Sequence, residues 1–132
     1  LPPAIDGLDV TVTQVESLRH DISVPLEGGG KVIRYRDVLD GTAKVILQTT
    51  DAEPVAMRDG QQIYLGGWLD ERTLDQFVSG LCGEAGIDVL PMPEGVRTRT
   101  TGGERFWFNY SDAEVACHGV ELPAAGVLRV PV

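Results

Sequence analysis

The stretch "PVAMRDGQQIYLGGWLDERTLDQF", residues 54–77, carries a hairpin signal, a double glycine and a helical pattern in one run. In its first half the dipeptide Asp59-Gly60, typical of two-residue β-hairpin turns, separates two apolar segments. In its second half apolar residues recur three and four positions apart, which is the spacing of one helix face. The stretch therefore predicts a hairpin, a joint at Gly66-Gly67 and a helix.

The double glycine raises the question of a phosphate site, because glycine-rich turns between a strand and a helix hold phosphates in many α/β proteins. Such loops need glycines spaced so that several backbone N–H groups converge. The segment "LGGWLDERT" lacks that spacing, and it places Asp70 and Glu71 where an anion would bind. We interpret Gly66 and Gly67 as a structural joint that lets the strand bend and the helix pack closely.

The helix is predicted over residues 70–86, with Asp70 as its N-cap and Gly86 just past its C-terminus. Its apolar residues form one stripe, which comprises Leu74, Phe77, Val78, Leu81, Cys82 and Ala85. Cys82 belongs to this stripe and does not follow a strand on a sharp turn, as a nucleophile elbow requires. We therefore expect its thiol to be buried and unreactive.

Prolines in "VLPMPEG" mark a domain boundary, which divides the chain into residues 1–90 and 91–132. Short strands follow and predict a small antiparallel β domain. In the strand "RFWFNY", Phe106 and Phe108 alternate with Trp107. We expect the two phenylalanines to fill the core and Trp107 to face outward.

The charge of −9, from 20 acidic and 11 basic residues, is spread evenly along the 132 residues. Such a surface repels phosphate backbones, which argues against nucleic-acid partners. No apolar run approaches the roughly 18 residues that span a bilayer, so no membrane partner is predicted. With two cysteines there is no disulfide framework, and the expected setting is the reducing cytoplasm.

No motif singles out a catalytic, cofactor-binding or metal-binding residue. The chain has two histidines and two cysteines, none of them in a C-x-x-C or H-x₃-H spacing. Its acidic residues fall in turns, caps and the polar helix face, where a solvated role is normal. Trp68 and Trp107 remain as candidates, each for an interface or a sugar contact, because an indole ring serves both purposes.

Several motifs in this sequence resemble motifs of a known protein family. The hairpin strand "IYLG" (63–66), the acid at Asp70 and the helix end "EAGI" (84–87) resemble the end of the amidotransferase-like domain of bacterial β-galactosidases of glycoside hydrolase family 42. The segment "PEGV" (93–96) and the aromatic strand that ends at Asn109 are similar to the family's C-terminal β domain.

The resemblance implies an α+β chain. Its first part would be strands and one covering helix from an α/β amidotransferase-like domain, and its second part a small antiparallel β domain. In the family a (β/α)₈ barrel carries the catalytic glutamates, the subunits form a trimer, and terminal β-galactosides are hydrolysed with retention. No residue here matches the barrel motifs, so the resemblance implies a non-catalytic C-terminal region that supports assembly and packing, with the rest of the parent chain as partner.

Two other functions stay open from the sequence. The chain would serve as a self-standing carbohydrate-binding β module if Trp68 and Trp107 stack on sugars. It would equally serve as a general protein-interaction domain with no connection to sugars.

Overall fold

Tight turns between neighbouring strands give this chain an antiparallel β structure. The computed structural model describes residues 5–132, and every strand pairing in that range is antiparallel. The chain divides into two units, the first ending at Ile87 and the second spanning Asp88–Val132. Each unit has its own core, and each is described by itself.

Over residues 5–87 the first unit contains seven strands and one helix. These are β1 (Thr11–Ser17), β2 (Val24–Pro25), β3 (Lys31–Asp40), β4 (Lys44–Gln48), β5 (Pro54–Asp59), β6 (Gln62–Leu65), β7 (Gly67–Leu69) and α1 (Glu71–Glu84). One sheet has the order β1-β3-β2, with β7 also paired to β3, and the other has the order β4-β5-β6. The long strand β3 thus has three partners.

Two apolar clusters form the core of the first unit. Leu8, Val10 and Val12 alternate with exposed residues, and all three side chains lie in one cluster with Leu39. The other cluster centres on Val32, whose side chain is fully buried, and gathers residues from β2, β4, β5, β7 and α1. Strand β3 contributes to both clusters.

The hairpin of β5 and β6 is present, but its turn lies one residue later than predicted. Asp59 pairs with Gln62, so the two loop residues are Gly60 and Gln61. Gly60 has a φ of 55°. Glycine at the first central position with a positive φ is typical of a type II′ turn, whereas Asp59-Gly60 predicted type I′.

The double glycine packs tightly against β3. A Cβ atom on Gly66 would lie 2.9 Å from Leu39 Cδ2, and one on Gly67 would lie 3.1 Å from Val32 Cγ1. Both distances are shorter than an ordinary van der Waals contact. Glycine is needed here because the chain passes close to two core side chains, which is the role of a structural joint.

Helix α1 begins and ends as its sequence predicts. The Asp70 carboxylate accepts hydrogen bonds from the Thr73 N–H at 3.2 Å and from the Lys31 N–H of β3 at 2.8 Å. At the other end Gly86 has a φ of 69°, and the Ile87 N–H donates to the Cys82 carbonyl at 2.8 Å. This arrangement is a Schellman motif. Asp70 therefore fastens the helix to β3 as well as capping it.

The predicted apolar stripe of α1 is only partly covered. Leu74 and Phe77 pack against the second cluster, but no residue of the helix is fully buried within the chain. Val78 is 47% exposed and Cys82 is half-buried. The expectation of a buried Cys82 is therefore wrong, because the sheet covers only the side of the helix that carries Leu74 and Phe77.

The second unit is a small antiparallel β structure. Its strands are β8 (Val96–Thr101), β9 (Glu104–Asn109), β10 (Val115–Cys117), β11 (Val120–Leu122) and β12 (Val127–Pro131). A three-stranded sheet has the order β12-β9-β8, and β10 and β11 form a hairpin. Val96, Trp107 and Leu122 are the buried centre of its core.

Two tight turns of the second unit have the same geometry. Gly102 and Gly103 join β8 to β9 with φ values of 60° and 77°. His118 and Gly119 join β10 to β11 with φ values of 48° and 79°. Positive φ at both central residues defines a type I′ turn. His118 therefore lies in a turn, directly after Cys117 at the end of β10.

The predicted fold class is wrong in one respect. An α/β amidotransferase-like domain requires parallel strands joined by crossover helices of a dozen or more residues. Between residues 5 and 132 the strands are antiparallel, and α1 is the single helix. The family resemblance implied an α/β domain, but the connections between the other strands are too short to hold further helices. The small antiparallel β part is present as predicted.

Within the described range, no helix combines the length and the apolar character needed to cross a membrane.

Replacement of Asp70 by alanine tests its capping role. Loss of the cap is expected to destabilise the first unit by about 1 kcal/mol near neutral pH. Hydrogen bonding, first from the Thr73 hydroxyl, lowers the pKa of the folded Asp70 carboxyl. The stabilisation is therefore present above the unfolded pKa of about 3.9 and is lost as the pH falls through the lower, folded pKa.

Urea unfolding of wild type and Asp70→Ala between pH 7 and pH 2 measures this effect. The difference in unfolding free energy between wild type and Asp70→Ala should become smaller as the pH falls toward 2. Asp70→Asn, which keeps a capping oxygen, should lose less than the alanine variant near neutral pH. A gap that is constant down to pH 2 would contradict the role of the ionised carboxylate.

Candidate functional site

An exposed aromatic cluster on the first unit is the strongest candidate for a functional surface. It comprises Trp68 on β7 together with Arg34 and Tyr35 on β3, and we call these three residues the Trp68 patch. The Trp68 and Tyr35 rings meet edge to face, with centroids 6.4 Å apart and planes at 63°. The Arg34 guanidinium carbon lies 4.8 Å from the Trp68 ring centroid. Trp68 is nevertheless 45% exposed.

The backbone of Arg34 is strained to hold this arrangement. Its φ of 68° lies in the left-handed region, which costs a residue with a Cβ roughly 1–2 kcal/mol. The pairing of β3 with β7 is irregular at this point, since Ile33 pairs with Trp68 and Arg36 with Gly67. Two residues of β3 thus face no residue of β7. The bulge turns Arg34 toward the Trp68 ring.

Polar contacts fix the strand beside the patch. Arg36 is largely buried and forms an ion pair with Glu16 at 2.6 Å, and it contacts Glu53 on its other side. The Tyr64 hydroxyl donates a hydrogen bond to Asp37 at 2.7 Å. Burial, and secondarily this contact with Asp37, raise the pKa of Tyr64 well above its ordinary range. These contacts fix β3 at Arg36 and Asp37, immediately after the two patch residues of this strand.

Trp107, the second sequence candidate, lies inside the second unit. It is 2% exposed and packs in the core, whereas Phe106 and Phe108 lie on the opposite face of β9. The expected orientation of this strand was therefore reversed. Alternate residues of β9 do lie on opposite faces, as predicted. The buried face was chosen wrongly, because the choice rested on the number of apolar residues on each face. The larger indole ring fills the core instead.

Trp107 packs among apolar side chains, and the Arg105 guanidinium carbon lies 5.9 Å from its ring centroid. Its ring is stacked with His118, with centroids 5.8 Å apart and planes at 27°. The indole Nε1–H has no hydrogen-bond partner among the residues that the structure describes. A buried donor left without an acceptor costs roughly 1–3 kcal/mol. Trp107 therefore stabilises this unit by its bulk rather than by its polar atom.

Asn109 is a structural residue that the sequence analysis did not single out. It is 2% exposed, and its side-chain nitrogen donates to the carbonyls of Ala113 at 2.7 Å and Pro123 at 2.9 Å. Its side-chain oxygen accepts from the N–H of Ser111 at 3.0 Å and from the hydroxyl of the same residue at 2.7 Å. The sequence "NYSD" is the signal that could have revealed it, since asparagine two residues before serine favours such turns.

The remaining candidates do not come together in a reactive group. Both cysteines are free and half-buried. The His118 ring lies 2.6 Å, through its Nε2, from the carbonyl oxygen of Pro91. In the part of the chain that the structure describes, no three His, Cys, Asp or Glu side chains are grouped as metal ligands would be.

Comparison with curated proteins identifies two relatives. The chain is 32% identical over 121 residues to a β-galactosidase of Thermus thermophilus, and 31% identical over 120 residues to a β-galactosidase of a Thermus species. Its relatives are β-galactosidases. Each match covers 89% of this chain but only 18% of the relative. The chain thus corresponds to less than a fifth of the length of these enzymes. No family model matches it.

Solved structures of β-galactosidases also match most of this chain with a small part of their own length. A β-galactosidase from the psychrophilic Marinomonas ef1 matches 91% of this chain with a TM-score of 0.79 and 27% identity, using 20% of its own chain. A variant of a family GH42 β-galactosidase from G. stearothermophilus matches 94% of this chain with a TM-score of 0.67 and 16% identity, using 23% of its own chain. The second likeness is one of fold.

Two substitutions at Arg34 separate strain from contact. Arg34→Ala removes the guanidinium from the Trp68 ring but keeps a Cβ at positive φ, whereas Arg34→Gly removes both. The glycine variant should be the more stable of the two by about 1 kcal/mol, because glycine adopts this backbone freely. Chemical unfolding of both variants measures the difference. Equal stabilities would show that the backbone at Arg34 carries no strain.

Substitutions at Trp107 test the unpaired indole N–H. Trp107→Ala should destabilise the chain by about 3–5 kcal/mol, because it empties the core of the second unit. Trp107→Phe should cost less than about 2 kcal/mol, because the loss of volume is offset by removal of the unsatisfied donor. Thermal or urea unfolding measures both. A phenylalanine variant as unstable as the alanine variant would contradict this account.

Proposed function

We propose that this chain is a non-catalytic part of the C-terminal region of a bacterial β-galactosidase of glycoside hydrolase family 42, where it supports packing and assembly. The carrying observation is that its β-galactosidase relatives match 89% of it with only 18% of their own length. A segment of that size is a small portion of such an enzyme. The reaction itself would then depend on residues outside this chain.

The acidic residues with defined partners have structural roles, which supports the non-catalytic assignment. Asp70 caps α1, Asp37 accepts from Tyr64, and Glu16 pairs with Arg36. A retaining glycosidase needs two carboxyl groups about 5 Å apart across one glycosidic bond, one as acid and one as nucleophile. In the proposed parent these two groups belong to a (β/α)₈ barrel.

The Trp68 patch is the proposed contact with the rest of the parent enzyme. Tryptophan, tyrosine and arginine are the residue types that dominate binding energy at protein interfaces. All three occur together here. Strain is retained where surrounding structure or function requires it, and Arg34 is held in a strained backbone beside the most exposed indole ring. A covering partner would desolvate this patch.

Several finer features belong to the same proposal. The parent would hydrolyse terminal β-galactosides with retention and assemble as a homotrimer. The two units would be separate domains of that parent. Its setting would be the cytoplasm, in keeping with two free cysteines.

A carbohydrate-binding module is the second candidate function, because Trp68 exposes part of its ring. A sugar platform needs an open aromatic face with polar groups around it. The Arg34 guanidinium already covers one face of the ring. Trp107 offers no platform, since its ring is enclosed in the core. The Trp68 patch therefore fits a protein partner better than a sugar.

Trp68→Ala distinguishes the two functions. The substitution should lower the unfolding free energy by less than about 2 kcal/mol, because nearly half of the ring is exposed in the folded chain. Neither galactose nor lactose should shift the melting temperature of the wild type or the variant. Stabilisation of the wild type alone by either sugar would favour the carbohydrate-binding module.

The gene sequence upstream of the codon for Leu1 tests the larger proposal. A region in frame that encodes a catalytic barrel is the expected result. A promoter and a start codon at that place would overturn the assignment to a larger enzyme.

A further inference from the structure

The outer face of the sheet in the second unit carries three arginines and two phenylalanines, with Glu104 in the adjoining row. We call it the arginine–phenylalanine face; it comprises Arg97, Arg99, Phe106, Phe108, Val127 and Arg129. The strand register arranges these side chains in two rows across the sheet. One row is Arg97, Phe108 and Val127, and the other is Arg99, Phe106 and Arg129. The core residue Trp107 lies on the opposite face.

Two arginines of this face have no carboxylate partner in the described chain. Arg129 forms an ion pair with Glu104, and its guanidinium carbon lies 5.9 Å from the Phe106 ring centroid. In contrast, neither Arg97 nor Arg99 belongs to any ion pair that the structure describes, and both are exposed. The first row is also apolar at the surface, because Val127 is 61% exposed. This row therefore combines free positive charge with apolar area.

Such a face fits an acidic protein surface. Arginine and aromatic residues are enriched at protein interfaces, and positive patches there meet negative ones. The chain has an excess of acids, with a net charge of −9. A second copy of this chain carries the same net charge and repels the first copy overall, so the complementary charge must come from a local group of its acidic residues.

Helix α1 carries an acidic stripe of matching dimensions. Glu71, Asp75 and Val78 succeed one another at four and three positions along one side of the helix, and all three are exposed. Four residues of helix rise about 6 Å, which separates the two carboxylates along the axis. Two residues of strand rise about 6.8 Å, which separates Arg97 from Arg99. The two spacings agree to within the reach of an arginine side chain.

We propose that the arginine–phenylalanine face of one copy docks on the Glu71–Asp75–Val78 stripe of a second copy. Arg97 and Arg99 pair with the two carboxylates, and Val78 meets the apolar part of the face. The inference rests on the proposed role in assembly and names the two surfaces that join. The proposed function and this contact can be refuted independently. The upstream gene sequence tests whether a parent enzyme exists, and self-association of this chain tests the contact.

Sedimentation of the chain over protein concentrations from about 1 µM to 1 mM, in about 0.15 M salt, tests the contact. The average mass should rise with concentration above the 14.2 kDa of one copy. Arg97→Glu with Arg99→Glu should raise the dissociation constant at least about tenfold, because like charges would then face each other. Arg97→Gln with Arg99→Gln serves instead if thermal unfolding shows that the first variant does not fold.

A matched control makes the same change of charge elsewhere. Arg19→Glu with Lys44→Glu alters two exposed bases of the first unit and should leave the association unchanged, apart from general repulsion. A monomer at every concentration would overturn the proposal. The proposal would also be overturned if Arg97→Glu with Arg99→Glu raised the dissociation constant no more than the control substitutions do.

Exchange of charge between copies identifies the partner surface. Glu71→Lys with Asp75→Lys should abolish self-association as Arg97→Glu with Arg99→Glu does. A mixture of the two doubly substituted proteins should associate again, because the reversed charges are complementary. Failure of the mixture to associate, when both proteins are folded, would overturn the pairing of these two surfaces.

Discussion

Strand β3 pairs with three other strands, and the left-handed backbone conformation of Arg34 allows these pairings. Residues 35–40 of β3 pair with β1, whereas Val32 pairs with both β2 and β7. A uniform strand would keep one register along its length. The bulge at Arg34 adds residues on one edge, so that β7 can turn away toward α1. The two core clusters, the double glycine and the Trp68 patch all depend on this one irregularity.

Local features of this fold could be predicted from the sequence because short-range forces decide them. The cap at Asp70 and the C-terminal glycine of α1 follow from backbone hydrogen bonding at helix ends. The turn at Gly102-Gly103 follows from the positive φ that type I′ geometry requires. The exposed Trp68 was also identified as a candidate. Its partners Arg34 and Tyr35 were not identified, because the residues around Arg34 do not indicate that this arginine has a positive φ.

Long-range features were harder to predict. A period of two reveals that Trp107 and Phe106 lie on opposite faces but not which face is buried, and the hairpin of β10 and β11 decides that question by supplying Leu122 to the core. The burial of α1 likewise depends on how much of the helix the sheet covers, so Cys82 is only half-buried. The resemblance to β-galactosidases was informative about relatives, yet it did not predict a wholly antiparallel first unit.

The network around Asn109 makes the second unit sensitive to the chemical identity of one side chain of unchanged shape. Substitution of Asn109 by aspartate would change the volume of the side chain very little. It would, however, replace the –NH₂ group that faces the carbonyl oxygens of Ala113 and Pro123 by an acceptor. Three oxygens would then confront one another without a proton between them. A substitution that looks conservative in size would therefore remove the hydrogen bonds that join the end of β9 to the loops at Ala113 and Pro123.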